Sequence, residues 1–266
     1  MQADRIDGVA QREVVDVTAG VSTVRQDWLA EEVPLAIHVD GESLAVMMLS
    51  PCDLEDFAHG FALTELGLVG EDLVSVDIQP LLEGIQLDLR TRQALPARTA
   101  DAQRWLPGRS GCGICGNRRL EDVVRQPEMV ERGSVIASAA LDVARACLEQ
   151  RQPLNAATGA IHAAAWATAD GTLMLVREDI GRHNALDKLI GAMRREGIDA
   201  GTGFALITSR ASYEMVAKAA TAGIPLLAAI SAPTALAVDL AESCGLTLVG
   251  FLRRGRHVIY SQRSSR

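Results

Sequence analysis

Hydrophobic and polar residues alternate over short stretches in the first third of the chain, as expected for strands with one buried face. Val33 to Val39 and Leu44 to Leu49 flank the turn signal Asp40-Gly41, so this stretch predicts a β-hairpin. Two more strands are predicted at 74–82 and 85–89. These four strands indicate a small sheet in the N-terminal part of the chain.

A helix is predicted between the two pairs of strands. Its expected start is Ser50 as N-cap, with Pro51 at the first helical position. The apolar residues at helical spacing, which should face the core, are Leu54, Phe57, Ala58, Phe61 and Ala62. Residues 1–29 show no sustained periodicity, and we expect a loosely ordered lead-in there.

The second half of the chain has a different pattern, in which strand-like runs alternate with helical stretches. The predicted strands cover 161–168, 172–176, 204–208, 226–230, 247–251 and 257–260. The predicted helices cover 141–150, 184–195, 212–222 and 234–244. This alternation is typical of a layered α/β sheet. We therefore predict an α/β fold, with a smaller α+β domain at 30–130 and an α/β domain at 131–266.

Composition narrows the class of protein. With 266 residues, 48% of them hydrophobic, the chain is long enough for a full core and predicts an ordinary soluble globular protein. The N-terminus lacks the basic and apolar segments of a secretory signal, and the apolar stretch 223–238 is interrupted by prolines. A net charge of −8 disfavours general binding to nucleic acid. We expect a cytoplasmic protein without nucleic-acid or membrane partners.

The most informative segment is Gly-Cys-Gly-Ile-Cys-Gly at 111–116. It places Cys112 and Cys115 close together in a glycine-rich run, with Arg109, Arg118 and Arg119 nearby. The thiolate is the reactive form of cysteine, and neighbouring guanidinium groups favour it. Two thiols at this spacing can form a disulfide, share a metal or pass a sulfur atom between them. This pattern predicts a reactive-sulfur site.

Two structural alternatives to this interpretation remain open. Zinc needs four ligands, commonly as two closely spaced pairs, and the sequence contains no second pair. A structural disulfide is rare in the cytosol, and the chain has an odd number of cysteines. The isolated cysteines Cys52, Cys147 and Cys244 are expected to be small, buried and inert.

Two segments after predicted strands are candidates for binding an anion. Ser209, Arg210 and Ser212 come just before a predicted helix, whose backbone N–H groups could receive one. Alternatively, Ser209 or Ser212 is only a helix cap. The other segment is the basic turn 253–256, in which three arginines surround Gly255. Guanidinium groups match phosphate oxygens, although a solvated surface turn would also explain this pattern.

Two histidines in the second half of the chain are also considered. His183 belongs to a polar stretch at 177–184, in which Asn184 is expected to cap the following helix. We expect His183 to serve structure or ligand positioning, since no nucleophile lies nearby in the sequence. His162 sits on a strand-like apolar run and is expected to be a satisfied core residue.

Several motifs in the same order resemble one family. They are 111–116, the stretch 177–188, and the segments from Ser209 through 231–234 to Gly250-Phe251. Together with 32–35 and 53–56, they closely resemble the formate dehydrogenase accessory sulfurtransferase (FdhD) family from about residue 30 onward. The resemblance implies a cytidine-deaminase-like α/β domain behind a smaller N-terminal domain, and a homodimer.

The resemblance also implies a function. It indicates a sulfurtransferase that accepts persulfide sulfur from a cysteine desulfurase and transfers it to the bis(molybdopterin guanine dinucleotide) molybdenum cofactor, which then enters formate dehydrogenase. Cys112 would carry the persulfide and Cys115 would assist. The stretch that matches the family's cofactor-binding segment is Phe251, Leu252, Arg253, Arg254, Gly255 and Arg256. A GDP-like nucleotide could mimic this bound substrate, and no metal ion is expected as a resident cofactor.

Other functions make different demands on the same residues. A non-catalytic chaperone of formate dehydrogenase would bind the cofactor without needing the thiols. A thiol-disulfide oxidoreductase usually has its CxxC at the start of a helix, whereas Gly116 and Asn117 prolong a loop here. Nucleobase deamination is not expected, because the H-x-E signature of zinc deaminases is broken by Ala164, two residues after His162.

Overall fold

The computed structural model describes residues 7–93 and 127–263, which form three β-sheets and six α-helices. The strands are β1 (Val9–Thr18), β2 (Val21–Ala30), β3 (Val33–Val39), β4 (Glu42–Leu49), β5 (Leu73–Pro80), β6 (Ile85–Thr91), β7 (His162–Thr168), β8 (Leu173–Asp179), β9 (Gly203–Ile207), β10 (Leu226–Ala229), β11 (Thr247–Arg253) and β12 (Arg256–Ser261). The helices are α1 (Leu54–Thr64), α2 (Ser138–Gln150), α3 (Pro153–Thr158), α4 (Arg182–Arg195), α5 (Tyr213–Thr221) and α6 (Ala235–Cys244).

Strands β1 and β2 correct the prediction of a loosely ordered lead-in. They form a separate antiparallel ribbon, paired from Val9 and Ala30 to Thr18 and Val21. The turn between them uses Ala19 and Gly20, which both have positive φ angles. Most of the ribbon is exposed on both faces. It therefore lacks the alternation that marks a half-buried strand, and the sequence pattern did not reveal it. The domain limits at residues 30 and 130 stay a prediction.

The N-terminal sheet has the order β4-β3-β6-β5 and is covered on one face by α1. The predicted hairpin is confirmed, because β3 and β4 pair and the turn residues Asp40 and Gly41 both adopt positive φ. The predicted buried stripe of α1 is largely confirmed as well: Phe57, Ala58, Phe61 and Ala62 are buried, while Leu54 is partly buried.

The predicted N-cap of α1 is wrong. The helix begins at Leu54, and Asp53 occupies the N-cap position in the left-handed conformation. Ser50 is fully buried instead, and its backbone N–H donates to Asp179 Oδ2 at 3.0 Å. Because this partner lies 129 residues away, local sequence preference could not indicate it.

The central sheet confirms the predicted layered α/β architecture. Its six strands have the order β12-β11-β10-β9-β7-β8, and β9, β10 and β11 run parallel to one another. Helices α4, α5 and α6 pack on one face and α2 packs on the other. No helix in 7–93 or 127–263 is long and apolar enough to cross a membrane.

Helices α1 and α4 connect the two parts of the chain, and their backbones lie in very close contact. A Cβ atom on Gly60 would overlap the backbone carbonyl of Asp187, and a Cβ on Gly191 would overlap that of Asp56. Around this contact, Asp56 forms ion pairs with Arg177 at 2.7 Å and with Arg195 at 2.6 Å. The helices can pack this closely because neither glycine carries a side chain.

Candidate ligand site at the carboxyl edge of the central sheet

The predicted reactive thiols, Cys112 and Cys115, lie outside the described residues. Of the three other cysteines, Cys244 is buried, whereas Cys52 and Cys147 are only partly buried. Burial raises the pKa of the Cys52 and Cys244 thiols, which disfavours the nucleophilic thiolate. The prediction of buried residues is thus confirmed for Cys244 alone.

The parallel strands place the two predicted anion-binding segments at the same edge of the sheet. Strands β9, β10 and β11 all end there, and ligands of α/β proteins commonly bind at such edges. The loop 230–234 after β10 joins the segments: Ala211 N donates to Ala232 O at 3.2 Å, and Phe251 N donates to Ser231 O at 3.1 Å. The structure therefore brings together two stretches that lie 40 residues apart in the sequence.

The first segment forms the approach to α5. Ser209 is buried, and its hydroxyl donates to Arg210 O at 3.0 Å, while the Arg210 side chain is exposed. Ser212 occupies the N-cap position of α5, as the alternative interpretation predicted. Its hydroxyl makes no capping hydrogen bond, however, and donates instead to Glu214 Oε2 at 2.8 Å. Ser212 therefore orients a carboxylate at this edge.

The second segment contains an unusual backbone conformation. Phe251 has a φ of 49°, a region that β-strand residues rarely adopt, and its side chain is 41% exposed. The pairing register of β11 and β12 shifts between Gly250 and Arg253. Such strain costs on the order of 1–3 kcal/mol and is often found at functional sites. Phe251 thus presents an exposed aromatic ring at the edge.

The basic turn 253–256 is less available to a ligand than its composition suggests. The Arg253 guanidinium donates to the carbonyl oxygens of Ile230 and Leu252, so it supports the loop after β10. The Gly255 N–H donates to a carboxylate oxygen of Asp142 at 3.1 Å, so this backbone donor is already occupied by a negatively charged group. Arg254 and Arg256 are exposed and remain the two candidates for anion contact in this turn.

The N-terminus of α4 lies at the same edge and corrects a further expectation. The helix begins at Arg182 with Gly181 at the N-cap position, so Asn184 is not the cap. Asn184 is buried and its amide donates to Met48 O at 2.9 Å and to Asp179 Oδ1 at 3.0 Å. Its role is to tie α4 to the end of β4, which the sequence could not show.

The two histidines meet at this edge. His183 is buried, and its Nε2 lies 3.5 Å from Glu214 Oε2 on α5. His162 is partly buried at the start of β7, contrary to its predicted place in the core. Burial lowers the pKa of His162, and the positive charges of Arg182 and His183 lower it further. The expectation that His183 serves structure or ligand positioning fits this arrangement.

Glu214 was not found by sequence reasoning, but it is a strongly perturbed group at the edge. Burial alone would raise the pKa of Glu214. Its interactions with the His183 imidazole and the Ser212 hydroxyl outweigh burial and lower this pKa to about 2. The carboxylate therefore stays charged throughout the physiological range and holds His183 in place. The only local signal was its position in the first turn of a helix.

Replacing Glu214 with glutamine should remove a pH-dependent contribution to stability. The native-state pKa is depressed, so this contribution is fully present above the unfolded-state pKa of about 4.5 and is lost as the pH falls towards about 2. Since the Glu214 side chain is partly exposed, solvent screens this interaction, and we expect a loss of only about 1–2 kcal/mol at pH 7. Urea unfolding of both proteins at several pH values would show the difference closing in acid.

A matched control is Glu83→Gln on the exposed turn between β5 and β6, which should change stability little at any pH. A difference between the parent protein and Glu214→Gln that is the same at pH 3 and pH 7 would contradict the assignment, because a purely steric effect does not titrate.

A second network missed by sequence reasoning lies just beneath the edge. Lys188 is fully buried, and its Nζ lies 2.7 Å from Asp179 Oδ2. It also donates to Ser50 O at 3.0 Å and to Glu178 O at 3.3 Å. The chain contains two lysines, Lys188 and Lys218, and both are buried against carboxylates. Lysine is usually a surface residue, so a chain with many arginines but only two lysines is unusual. This scarcity was the one available sequence signal that the two lysines have a special role.

Within the described ranges 7–93 and 127–263, no group of three or more histidine, cysteine, aspartate or glutamate side chains could hold a metal ion. The zinc alternative depends on Cys112 and Cys115, which lie outside those ranges, so it stays an open alternative.

Comparisons with known proteins show the family. The chain belongs to the FdhD/NarQ family, whose model matches residues 30–266. It is 54% identical over 244 residues to a "Sulfur carrier protein FdhD" of Xanthomonas euvesicatoria pv. vesicatoria, covering 91% of this chain and 86% of that protein. It is 50% identical over 237 residues to the protein of the same name from Cupriavidus necator, covering 88% and 82% respectively.

A solved structure shows the same fold. The crystal structure of a proposed formate dehydrogenase accessory protein from Desulfotalea psychrophila matches with a TM-score of 0.74 and 22% sequence identity. The match covers 95% of this chain and 96% of that one. The mixed α/β architecture is therefore a known fold of this kind of protein, while the likeness to cytidine deaminases stays a prediction.

Proposed function

We propose that this protein is a sulfur carrier that matures formate dehydrogenase. Cys112 accepts a sulfur atom from a cysteine desulfurase as a persulfide, and the protein transfers that atom to the molybdenum of bis(molybdopterin guanine dinucleotide) before the cofactor enters the enzyme. The observation that carries this proposal is the match over about nine-tenths of the chain to relatives named as sulfur carriers, together with the closely spaced pair Cys112 and Cys115.

In the proposed release step, Cys115 expels the terminal sulfur from Cys112, and no additional reactant is consumed. The Cys115 thiolate attacks Sγ of the Cys112 persulfide, and a disulfide bond forms between the two cysteines. The bond between Cys112 Sγ and the terminal sulfur breaks, and the terminal sulfur leaves as hydrosulfide with the bonding electron pair. A cellular thiol reductant then restores the dithiol before the next cycle. Direct transfer of the terminal sulfur to the acceptor is the alternative route.

The carboxyl edge of the central sheet provides the proposed site for the cofactor as a bound substrate. Three features support this placement. The helices α4, α5 and α6 begin at or near this edge, so the positive ends of their dipoles face an anion there. Exposed guanidinium groups and an exposed ring surround the edge; they belong to Arg210, Phe251, Arg254 and Arg256. A GDP-like nucleotide should occupy part of the same site.

Three residues of the predicted cofactor segment contact the protein and would not bind the cofactor through free groups: Leu252, Arg253 and Gly255. Leu252 is buried in the sheet, and Arg253 and Gly255 are held by protein groups. We further propose that the protein acts in the cytoplasm as a homodimer, as expected from the resemblance of its motifs.

The direct test is to incubate the protein with a cysteine desulfurase and cysteine and to analyse its peptides by mass spectrometry. We expect one additional sulfur atom on the peptide that contains Cys112, and none on that peptide in Cys112→Ser. Cys147→Ser is a matched control, because it removes another thiol and should leave the loading of Cys112 unchanged. Absence of the additional sulfur while the desulfurase turns over would contradict the proposal.

A non-catalytic chaperone would give a different result. In that case the double variant Cys112→Ser/Cys115→Ser would still support full formate dehydrogenase activity in cells that lack the natural protein. The sulfur-carrier proposal instead requires that this variant leave the client enzyme inactive while the variant itself remains folded and abundant.

A further inference from the structure

The ribbon of β1 and β2 has an apolar face that is covered at its base and exposed towards its turn. At the base, Val9, Trp28 and Ala30 pack against Leu154 and Ile161. Three further valines lie on the same face towards the turn, and each is 63–65% exposed: Val15, Val17 and Val24. A two-stranded hairpin by itself is at best marginally stable in water, so the outer part of this ribbon is expected to have a partner.

The outer edge of β1 offers free backbone groups. The turn residues Ala19 and Gly20 both have positive φ, as in a two-residue type I′ turn. The flanking residues of such a turn form a hydrogen-bonded pair, so the even-numbered residues of β1 bond to β2. The odd-numbered residues then direct their N–H and C=O groups outwards. Within 7–93 and 127–263, no backbone group pairs with this outer edge at residues 11–17.

The strand itself does not prevent further pairing. β1 contains neither proline nor lysine, and its pairing with β2 runs from Val9 to Thr18 without a bulge. Proline, lysine and bulges are common devices that protect an edge strand from other strands. The edge of β1 is therefore a regular template for one more strand, and its charged side chains decide which strand fits.

One charged side chain on this edge lacks a partner. Arg25 forms ion pairs with Asp16 at 3.0 Å and with Asp27 at 2.8 Å, so the charges of β2 are compensated within one chain. Arg12 lies on the same face of the ribbon. Its guanidinium donates to Gln11 O at 2.8 Å and forms no ion pair with any described residue. Arg12 therefore favours a partner strand that places a carboxylate opposite it.

A second copy of β1 supplies this carboxylate in one antiparallel register. Because the outward groups must face one another, odd-numbered residues have to lie opposite odd-numbered residues. With Val14 on the two-fold axis, Arg12 of each copy lies directly opposite Asp16 of the other copy. The symmetry thus forms two cross-strand pairs of opposite charge. Such pairs stabilise a sheet, whereas like charges directly opposite each other destabilise it.

The neighbouring registers lack this complementarity. An axis on Arg12, Glu13 or Asp16 places that residue opposite itself, which brings like charges together. An axis on Val15 places Arg12 opposite Thr18 and leaves its charge uncompensated. The charges of β1 therefore select the register with Val14 at the centre.

The same register brings the exposed valines towards the body of the second copy. Val17 of one copy lies opposite Gln11 of the other, so the turn of each ribbon lies beside the base of its partner. At that base, Leu154 of α3 packs on the face of the ribbon that carries the valines. The valines should therefore be less exposed in the pair than in a single chain.

We propose that β1 pairs with β1 of a second copy of this chain, antiparallel and centred on Val14, so that the two ribbons form one four-stranded sheet. This interface specifies the proposed homodimer and rests on that part of the proposed function. The match to the family model begins at residue 30, after most of the ribbon, so the interface is inferred from the residues of the ribbon itself.

The first test measures the dimer dissociation constant of the full chain by analytical ultracentrifugation. Within one ribbon, Val14→Glu places a carboxylate opposite Arg25, which stabilises the hairpin. Across the two-fold axis it places two carboxylates opposite each other, which should raise the dissociation constant about tenfold or more. Val21→Glu is the matched control on β2 and should leave the constant unchanged. Circular dichroism establishes that each variant is folded.

The second test is disulfide cross-linking. In a non-hydrogen-bonded pair on the axis, the Cβ atoms lie about 4.5–5.5 Å apart, so Val14→Cys should link two copies under mild oxidation. In the control Val24→Cys, the two new thiols are separated by three strand spacings, about 14 Å, and should not link. Mass spectrometry reads both variants on the tryptic peptide 13–25, which contains both positions and no natural cysteine.

The outcomes separate this interface from the rest of the proposed function. A parent protein that is monomeric at every concentration overturns both the interface and the homodimer. A dimer that Val14→Glu does not weaken, or in which Val14→Cys does not link, overturns the ribbon interface alone. Sulfur loading of Cys112 is measured on the same samples, and a dimer that links through position 14 but never carries sulfur supports the interface while refuting only sulfur transfer.

Discussion

Lys188→Met is expected to lower the free energy of unfolding by about 3–5 kcal/mol, the usual consequence of removing one partner from a buried ion pair. Methionine fills a similar volume but cannot compensate the Asp179 carboxylate, which is also fully buried. The carbonyl groups of Ser50 and Glu178 would lose a donor at the same time. Chemical denaturation monitored by circular dichroism measures the effect.

The matched control for this prediction is Arg92→Met. Arg92 pairs with Glu71 at 2.6 Å, but both side chains are exposed, so the expected loss is about 0–1 kcal/mol. The double variant Lys188→Met/Asp179→Asn should be more stable than the sum of the single losses predicts, because neutralising both partners removes the uncompensated charge. A loss below about 1 kcal/mol for Lys188→Met would mean that the pair does not stabilise the fold.

Gly191→Ala is expected to destabilise the protein by about 3 kcal/mol or more, at the upper end of the range for overpacked cores. The added Cβ would overlap the Asp56 carbonyl oxygen and come within 2.7 Å of Gly60 N. Both are backbone atoms of α1, so the conflict cannot be relieved by a side-chain rotation. The helices must separate, which also strains the ion pairs of Asp56 with Arg177 and Arg195.

Gly201→Ala provides the comparison, because the three atoms nearest to its added Cβ all belong to the Asp199 side chain, at 3.3 Å or more. We expect it to change stability by less than about 1 kcal/mol. Gly60→Ala should behave like Gly191→Ala, because its Cβ would overlap the Asp187 carbonyl oxygen. Thermal unfolding that ranks Gly191→Ala with Gly201→Ala would contradict such close packing of α1 and α4.

Local sequence patterns predicted most of the regular elements. The hairpin of β3 and β4 was identifiable because Asp40 and Gly41 tolerate positive φ and the flanking residues alternate. The ribbon of β1 and β2 was not identifiable, although Ala19-Gly20 adopts a similar turn, because most residues on both of its faces are exposed. Alternation of polarity arises only where one face of a strand is buried.

The candidate site was predicted only in part. The segments at Ser209 and Arg253 were recognised because hydroxyl and guanidinium groups follow buried strands, and the parallel order of β9, β10 and β11 then places them at one edge. Glu214 and Lys188 were missed, since a charged residue inside a helical stretch usually faces solvent. The sequence around Asn184 predicts a helix cap, whereas its actual partners, Met48 and Asp179, are not its close neighbours in the sequence and only the fold brings them to it.

By itself, the sequence determined the alternation of strands and helices, the close spacing of Cys112 and Cys115, and the family to which the chain belongs, since these depend on residues close together in the chain or on motifs in order. Only the tertiary structure decided which polar groups are buried together. The partners of Lys188, His183 and Gly191 come from distant elements, and their energies depend on burial and on distances of a few ångströms.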